Sequence, residues 1–150
     1  MNILKKQFKY CFAKTQSGYP PILKSNTISK RFFLGKKNER IEFRTIRLRH
    51  GKITCLGYIF EKTAYLSDCS DISNSALNQL HGLKYLIIDC FKIKEHPSHL
   101  NLNKALLISR FLKAKKTILT NLHHDLDYNY LLNKLPSNVI PAYDGLRLNI

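Results

Sequence analysis

The sequence predicts a layered α/β fold, strand-rich at first and then alternating between strands and helices. Three observations predict it. Between residues 31 and 60 apolar and polar residues alternate, as they do on half-buried strands. Tyr85-Leu86-Ile87-Ile88 is a continuous apolar run of the kind expected in a strand buried on both faces. Over residues 101–113, Ala105, Leu106, Ile108 and Leu112 give one apolar side and Lys104 a polar flank, which is helical spacing. Strands that alternate with helices build an α/β layer.

Taken in order, residues 1–30 have weak periodicity and form an irregular basic arm. The prolines of Ser17-Gly18-Tyr19-Pro20-Pro21 exclude a regular helix around them. Ile41 and Phe43 alternate with Glu42 and Arg44. The phase then slips, and Ile46 and Leu48 alternate with Arg47 and Arg49, which predicts a bulge near Thr45. Residues 53–60 and 63–66 read as further strands. Residues 73–80 read as a short helix with polar capping residues at its start, and 85–88 as the buried strand. After the helix at 101–113 come a strand at 117–119 and a helix at 128–135 that Pro136 ends. Short strands at 139–140 and 146–150 close the chain. There is no internal repeat, no low-complexity tract and no evident boundary, so residues 1–150 read as a single domain.

The 150 residues are 44% hydrophobic, which suits a globular chain rather than a disordered one. No apolar run reaches the roughly 20 residues of a membrane span. The stretch from Met1 through Lys5 and Lys6 has no apolar segment behind it, so no secretory signal is expected. Cys11, Cys55, Cys69 and Cys90 lack the spacing of a zinc ribbon or redox motif. Reduced thiols in a cytoplasmic setting are the simplest expectation. The net charge is +15 and uneven, with 13 Lys/Arg against 2 Asp/Glu in residues 1–50. Such an arm suits nucleic acid, a phosphate-bearing substrate or an acidic partner, and Phe32, Phe33 and Phe43 lie among its charges. Charge alone carries no sequence-specific signal, and a solvated surface with core phenylalanines is the simpler account.

The chemistry-bearing residues fall at strand ends. His50 follows one strand and precedes Gly51. Asp68 follows the strand at 63–66, and Asp89 follows the run at 85–88. His96 and His99 lie just before a helix, and Asn121, His123 and His124 follow the strand at 117–119. Ligands of α/β sheets bind beyond the carboxyl ends of strands. Imidazole and carboxylate together suit zinc or a similar divalent ion. Each residue also has a plainer role: His50 in a turn, Asp68 and Asp89 as helix caps, His96-Pro97 at a turn, His123-His124 on a solvated loop.

Several co-ordered motifs then decide between these roles. They are Leu48-Arg49-His50-Gly51, Gly57-Tyr58-Ile59-Phe60-Glu61, Ala64-Tyr65-Leu66-Ser67-Asp68, Leu86-Ile87-Ile88-Asp89-Cys90, His96-Pro97-Ser98-His99-Leu100-Asn101-Leu102, Ile118-Leu119-Thr120, Leu135-Pro136 and Ala142-Tyr143-Asp144-Gly145. In order and spacing the chain resembles the metallo-β-lactamase superfamily, in the branch that contains the carbon–phosphorus lyase accessory phosphodiesterase. The resemblance runs through nearly the whole chain but covers only the C-terminal half of the family's domain. It implies half of an αββα sandwich with metal ions at one edge, and metal-assisted hydrolysis of a phosphodiester-like substrate. By resemblance, His50 matches a ligand of the first metal, Asp68 the aspartate that bridges two metals, and His99 a catalytic histidine.

The chain departs from the family pattern in two places. The string His-x-His-x-Asp-His, which supplies two ligands to each metal, does not occur in these residues. Asn121 stands where the family has its last second-metal histidine, and an amide oxygen is a poor zinc ligand beside imidazole. His124 matches a residue that binds a separate structural zinc in some relatives. The resemblance therefore implies zinc or manganese bound only with a complementing N-terminal half, from a separately encoded partner or through self-association across an exposed sheet face. It implies little or no activity for the chain alone; a membrane partner is not expected, because no apolar run is long enough to span a bilayer. A polyanion-binding module, and a non-functional remnant, are the alternatives.

Overall fold

The early alternation folds as antiparallel strands that meet in register. The computed structural model describes residues 2–13, 18 and 20–150, so expectations resting on Met1, Ser17 and Tyr19 lie outside the described residues. Strands β1 (Arg31–Leu34), β2 (Ile41–His50), β3 (Ile53–Phe60) and β4 (Thr63–Leu66) pair successively antiparallel. Strands β5 (Tyr85–Asp89), β6 (Lys116–Thr120) and β7 (Val139–Pro141) then add in parallel to β4. The result is one seven-stranded mixed sheet in the order β1-β2-β3-β4-β5-β6-β7.

The expected bulge near Thr45 is absent. Pairing of β2 with β3 runs unbroken from Phe43 opposite Phe60 to His50 opposite Ile53. The phase slip has another cause: each sheet face carries apolar residues over a different stretch of β2. Phe43 stacks on Phe32 with ring centroids 5.4 Å apart and packs on Phe60 at 4.9 Å, on one face. Ile46 and Leu48 are buried on the other.

That second face carries the core. Ile46, Leu48, Ile59, Ala64, Leu66, Leu86, Ile88, Leu119 and Val139 pack there with Ala76, Ala105, Leu112 and Leu131 from the covering helices. These helices are α3 (Asn74–Leu77), α4 (Leu102–Leu112) and α5 (Tyr128–Lys134), numbered after two short N-terminal ones described below. Each starts where a side chain satisfies an otherwise orphan backbone N–H: Ser73, Asn101 and Asp127 accept from Ala76, Lys104 and Tyr130. Helix α4 stops at Lys113, whose φ of 50° is left-handed, and α5 stops ahead of Pro136.

Three further expectations are corrected. The arm contains two short helices, α1 (Asn2–Gln7) and α2 (Lys9–Phe12), because no proline interrupts the chain before Pro20 and Cys11 finds a buried position. No strand forms over 146–150. Leu146 and Leu148 are half-buried, but among the described residues no ladder partner meets them; Leu146 N donates to Tyr143 O at 3.1 Å and Lys84 Nζ to Asn149 O at 2.6 Å. Over residues 85–88, β5 is fully buried on one face only: Leu86 and Ile88 are inaccessible, whereas Tyr85 and Ile87 are half-buried beside the aromatic face of β1–β3. No described helix is long and apolar enough to cross a membrane.

Candidate functional site

Strands β2 and β4 both run antiparallel to β3, and β5 and β6 run parallel to β4, so the carboxyl ends of β2, β4, β5 and β6 share one sheet edge. His50 ends β2, Asp68 follows β4, Asp89 ends β5 and Asn121 follows β6. The loop between β5 and α4 brings His96 and His99 over the same edge. It is pinned by Phe91 N donating to Leu100 O at 2.9 Å and Leu102 N to Lys92 O at 3.0 Å. Asp68 and Asn121 have φ values of 52° and 61°, a left-handed conformation that Asp and Asn tolerate better than bulkier residues.

Asp89 organises the site. Its side chain is completely buried. Its Oδ2 accepts from Cys69 N at 3.3 Å, from Leu100 N at 3.1 Å and from His99 Nδ1 at 3.0 Å. Its Oδ1 accepts from Asn121 Nδ2 at 2.9 Å. A carboxylate so enclosed is stable only because each oxygen is met by donors. The bond to Asp89 places the His99 proton on Nδ1 and leaves Nε2 available. In the same way His50 Nδ1 donates to Ser98 O at 2.7 Å, which frees its Nε2. Fixing one imidazole nitrogen so that the other can ligate or transfer a proton is how metal-site histidines are oriented. The two rings lie 4.8 Å apart, edge to face. Gly51 permits this closeness: its φ is 59°, and a Cβ there would meet Ser98 Oγ at 2.9 Å.

Phe91 supports three of the imidazoles, with centroid distances of 4.9 Å to His96, 4.8 Å to His99 and 4.9 Å to His123. Burial, together with nearby His99 and Lys92, holds the His96 pKa below its ordinary value. Burial raises the thiols that flank the carboxylates. Cys90 is pushed up to about 12, and Cys69 is raised further, with Asp89 adding to both shifts. Burial and then Asp68 raise Cys55, whose Sγ donates to Asp68 O at 2.9 Å.

The structure brings His50, Asp68, His99 and Asn121 to one edge. It does not bring three metal-donor atoms of that set together. Among the described residues, the group with three donors close enough to share an ion is His123, His124 and Asp125. His123 joins the site through its ring on Phe91, whereas the His124 side chain is 84% exposed and contacts Asp125 at 3.1 Å. Beside His50 lies an open cavity of about 820 Å³, lined by residues that include Arg49, Lys52, His96, Ser98 and Lys104. Strand-end reasoning found His50, Asp68, His99 and Asn121 and pointed to Asp89. It missed the organising part of Asp89, the support from Phe91 and the orienting carbonyl of Ser98. A carboxylate directly after four apolar residues was the available signal for the first; the other two are tertiary contacts without a sequence signature.

The family model described as a β-lactamase superfamily domain matches residues 1–123. A solved structure of a diphosphatase from the PhnP family aligns over 98% of this chain and 53% of its own, with 31% identity and a TM-score of 0.84. The metallo-β-lactamase fold protein YhfI from Bacillus subtilis aligns over 94% and 59%, with 19% identity and a TM-score of 0.69, a likeness of fold. An octanoyltransferase from Porphyromonas gingivalis is 26% identical over 148 residues, which is 97% of this chain and 30% of that protein. The chain thus spans about half the length of the diphosphatase and under a third of the transferase.

Proposed function

The chain belongs to the β-lactamase superfamily domain family, with the metallo-β-lactamase fold, and from that premise we propose that it forms one half of a metal-dependent hydrolase site for phosphate esters. The observation that carries this is the pairing of His50 and His99, each pinned through Nδ1 and each with Nε2 free, beside the carboxylate of Asp68. The donor chemistry fits one divalent ion in part. His50 Nε2 and an Asp68 oxygen would hold it, and a catalytic zinc normally takes three protein ligands. The remaining ligands belong to a complementing segment with the string His-x-His-x-Asp-His. Such an ion supplies an activated water and neutralises charge on the phosphoryl group.

This chain's own residues do the rest. The Ser98 carbonyl keeps the His50 lone pair directed outward. Asp89 holds His99 in one orientation through Nδ1, so that Nε2 can first take up a proton and then, from the imidazolium, pass it to a departing oxygen. Arg49, Lys52 and Lys104 place positive charge around the adjoining cavity, as an anionic substrate requires. Arg49 also pairs with Asp71 at 3.1 Å and Lys104 with Glu95 at 3.3 Å. The half-buried aromatic face formed by Phe32, Phe43, Tyr58 and Phe60 supports the need for a second layer, as does the diphosphatase being about twice as long.

The decisive assay mixes the chain with a complementing segment and zinc or manganese, and follows cleavage of bis(p-nitrophenyl) phosphate. Turnover is expected in the mixture and not from the chain alone. His50→Ala, Asp68→Ala and His99→Ala should each lower it by about a hundredfold or more. Turnover by the chain alone overturns the half-site. No turnover from a mixture shown to associate overturns the hydrolase.

A further inference from the structure

We propose that the side-chain amide of Asn121 closes the second-metal position, so that the site takes a single ion. This deepens the hydrolase reading and rests on it for the first ion alone; the amide bridge itself is a property of the folded chain. Asn121 Nδ2 lies 2.9 Å from Asp89 Oδ1 and 3.4 Å from Asp68 Oδ1. One amide nitrogen has two protons, and the two carboxylates offer one acceptor each. The contact to His99 Nδ1 at 3.2 Å is not a third bond, because that nitrogen spends its proton on Asp89.

The chemistry fixes the orientation of the amide. Turned over, it would set its carbonyl oxygen against two carboxylate oxygens and leave both without a donor. An amide nitrogen has no lone pair to give a metal. The group just after β6 that faces Asp68 is therefore a donor of protons and not a donor of electrons. Asp68 Oδ1, the oxygen that faces Asn121, is engaged by that donor. Consistent with this, Asp68, Asp89 and His99 form no three-donor group among the described residues. A cation between the carboxylates and the amide would have to displace the amide and break its bond to the buried Asp89. The two N–H groups already do what a cation would do there, which is to hold two carboxylates near one another.

Asn121→Asp is nearly isosteric and turns the donor into a third carboxylate. Asn121→Ala removes the donor without adding charge and separates loss of the bridge from repulsion. Thermal unfolding of the full chain is measured in EDTA, and with Mn²⁺ or Zn²⁺ added. Asn121→Asp is expected to melt about 4–10 °C below wild type in EDTA, and below Asn121→Ala. Added metal should recover most of that difference while shifting wild type and Asn121→Ala by little. His123, His124 and Asp125 are the same in all three proteins, so binding there cancels. If Asn121→Asp does not fold in EDTA, its refolding on addition of metal is read in the same way. A wild-type shift as large as that of Asn121→Asp, or an Asn121→Asp melting point equal to that of Asn121→Ala and indifferent to metal, overturns the proposal. Phosphodiester turnover is read separately, so its absence beside an intact Asn121→Asp response counts against the hydrolase reading alone.

Discussion

Asp89 connects three segments of the chain through a single buried carboxylate, to the loop after β4, to the His99 loop and to the end of β6. Replacing it with alanine leaves the N–H groups of Cys69 and Leu100 without a buried acceptor and releases His99. Asp89→Ala should cost about 3–5 kcal/mol in urea unfolding. Asp89→Asn, which keeps the shape and one acceptor, should cost less; equal loss in both would show that geometry at Asp89 is unimportant. His96 carries a pH dependence. Its pKa is lowered in the folded chain, first by burial and then by the charges of His99 and Lys92, from an ordinary value of 6.5. The unfolded chain therefore binds this proton more readily as pH falls through that value. Stability should decline from pH 7 toward pH 5 and level off below the folded pKa. His96→Gln should flatten this part of the urea-midpoint profile, and an unchanged slope would assign it elsewhere. At this scale the sequence was informative where a polar residue ends an apolar run, as at Asp68, Asp89 and Asn121. It was silent on Ser98 O and Phe91, since any residue has a carbonyl and a lone phenylalanine reads as core.

At the scale of elements, Gly57 shows how closely β3 approaches its neighbours. A Cβ there would lie 2.8 Å from Leu66 Cδ2 and 3.0 Å from Leu48 Cδ1. Alanine in a strand gains about 0.5–1 kcal/mol over glycine in backbone entropy. Overpacking costs about 1–3 kcal/mol. The second effect wins, so Gly57→Ala should destabilise, read as a lower urea midpoint at unchanged slope. A stabilised variant would mean that Leu66 and Leu48 repack freely. Strands and helices with one dominant apolar pattern were legible: the run at 85–88, the helix that became α4 and the proline stop after α5. Two readings failed for the same reason. In β2 the apolar residues serve two different faces in succession, and in 146–150 an alternating pattern is satisfied on the surface without a ladder. Alternation reports which side chains find cover and leaves open what covers them.

For the molecule as a whole, the sheet has one face covered by α3, α4 and α5 and an aromatic face only half-buried, with the candidate site at the edge between them. The α/β class and the family were legible because many motifs keep their order at once; the absence of a His-x-His-x-Asp-His string and the presence of Asn121 are what motivate the half-site proposal. In the proposed site, His50 and Asp68 contribute two ligands to an ion that other residues complete. Its most direct measurement is a calorimetric zinc titration of the chain with and without the complementing segment, in a His124→Ala background that removes the exposed three-donor group. No tight stoichiometric site is expected in the chain alone, a tight site in the mixture, and its loss in Asp68→Asn. Tight one-to-one binding by the chain alone, or binding in the mixture that ignores His50 and Asp68, would contradict it.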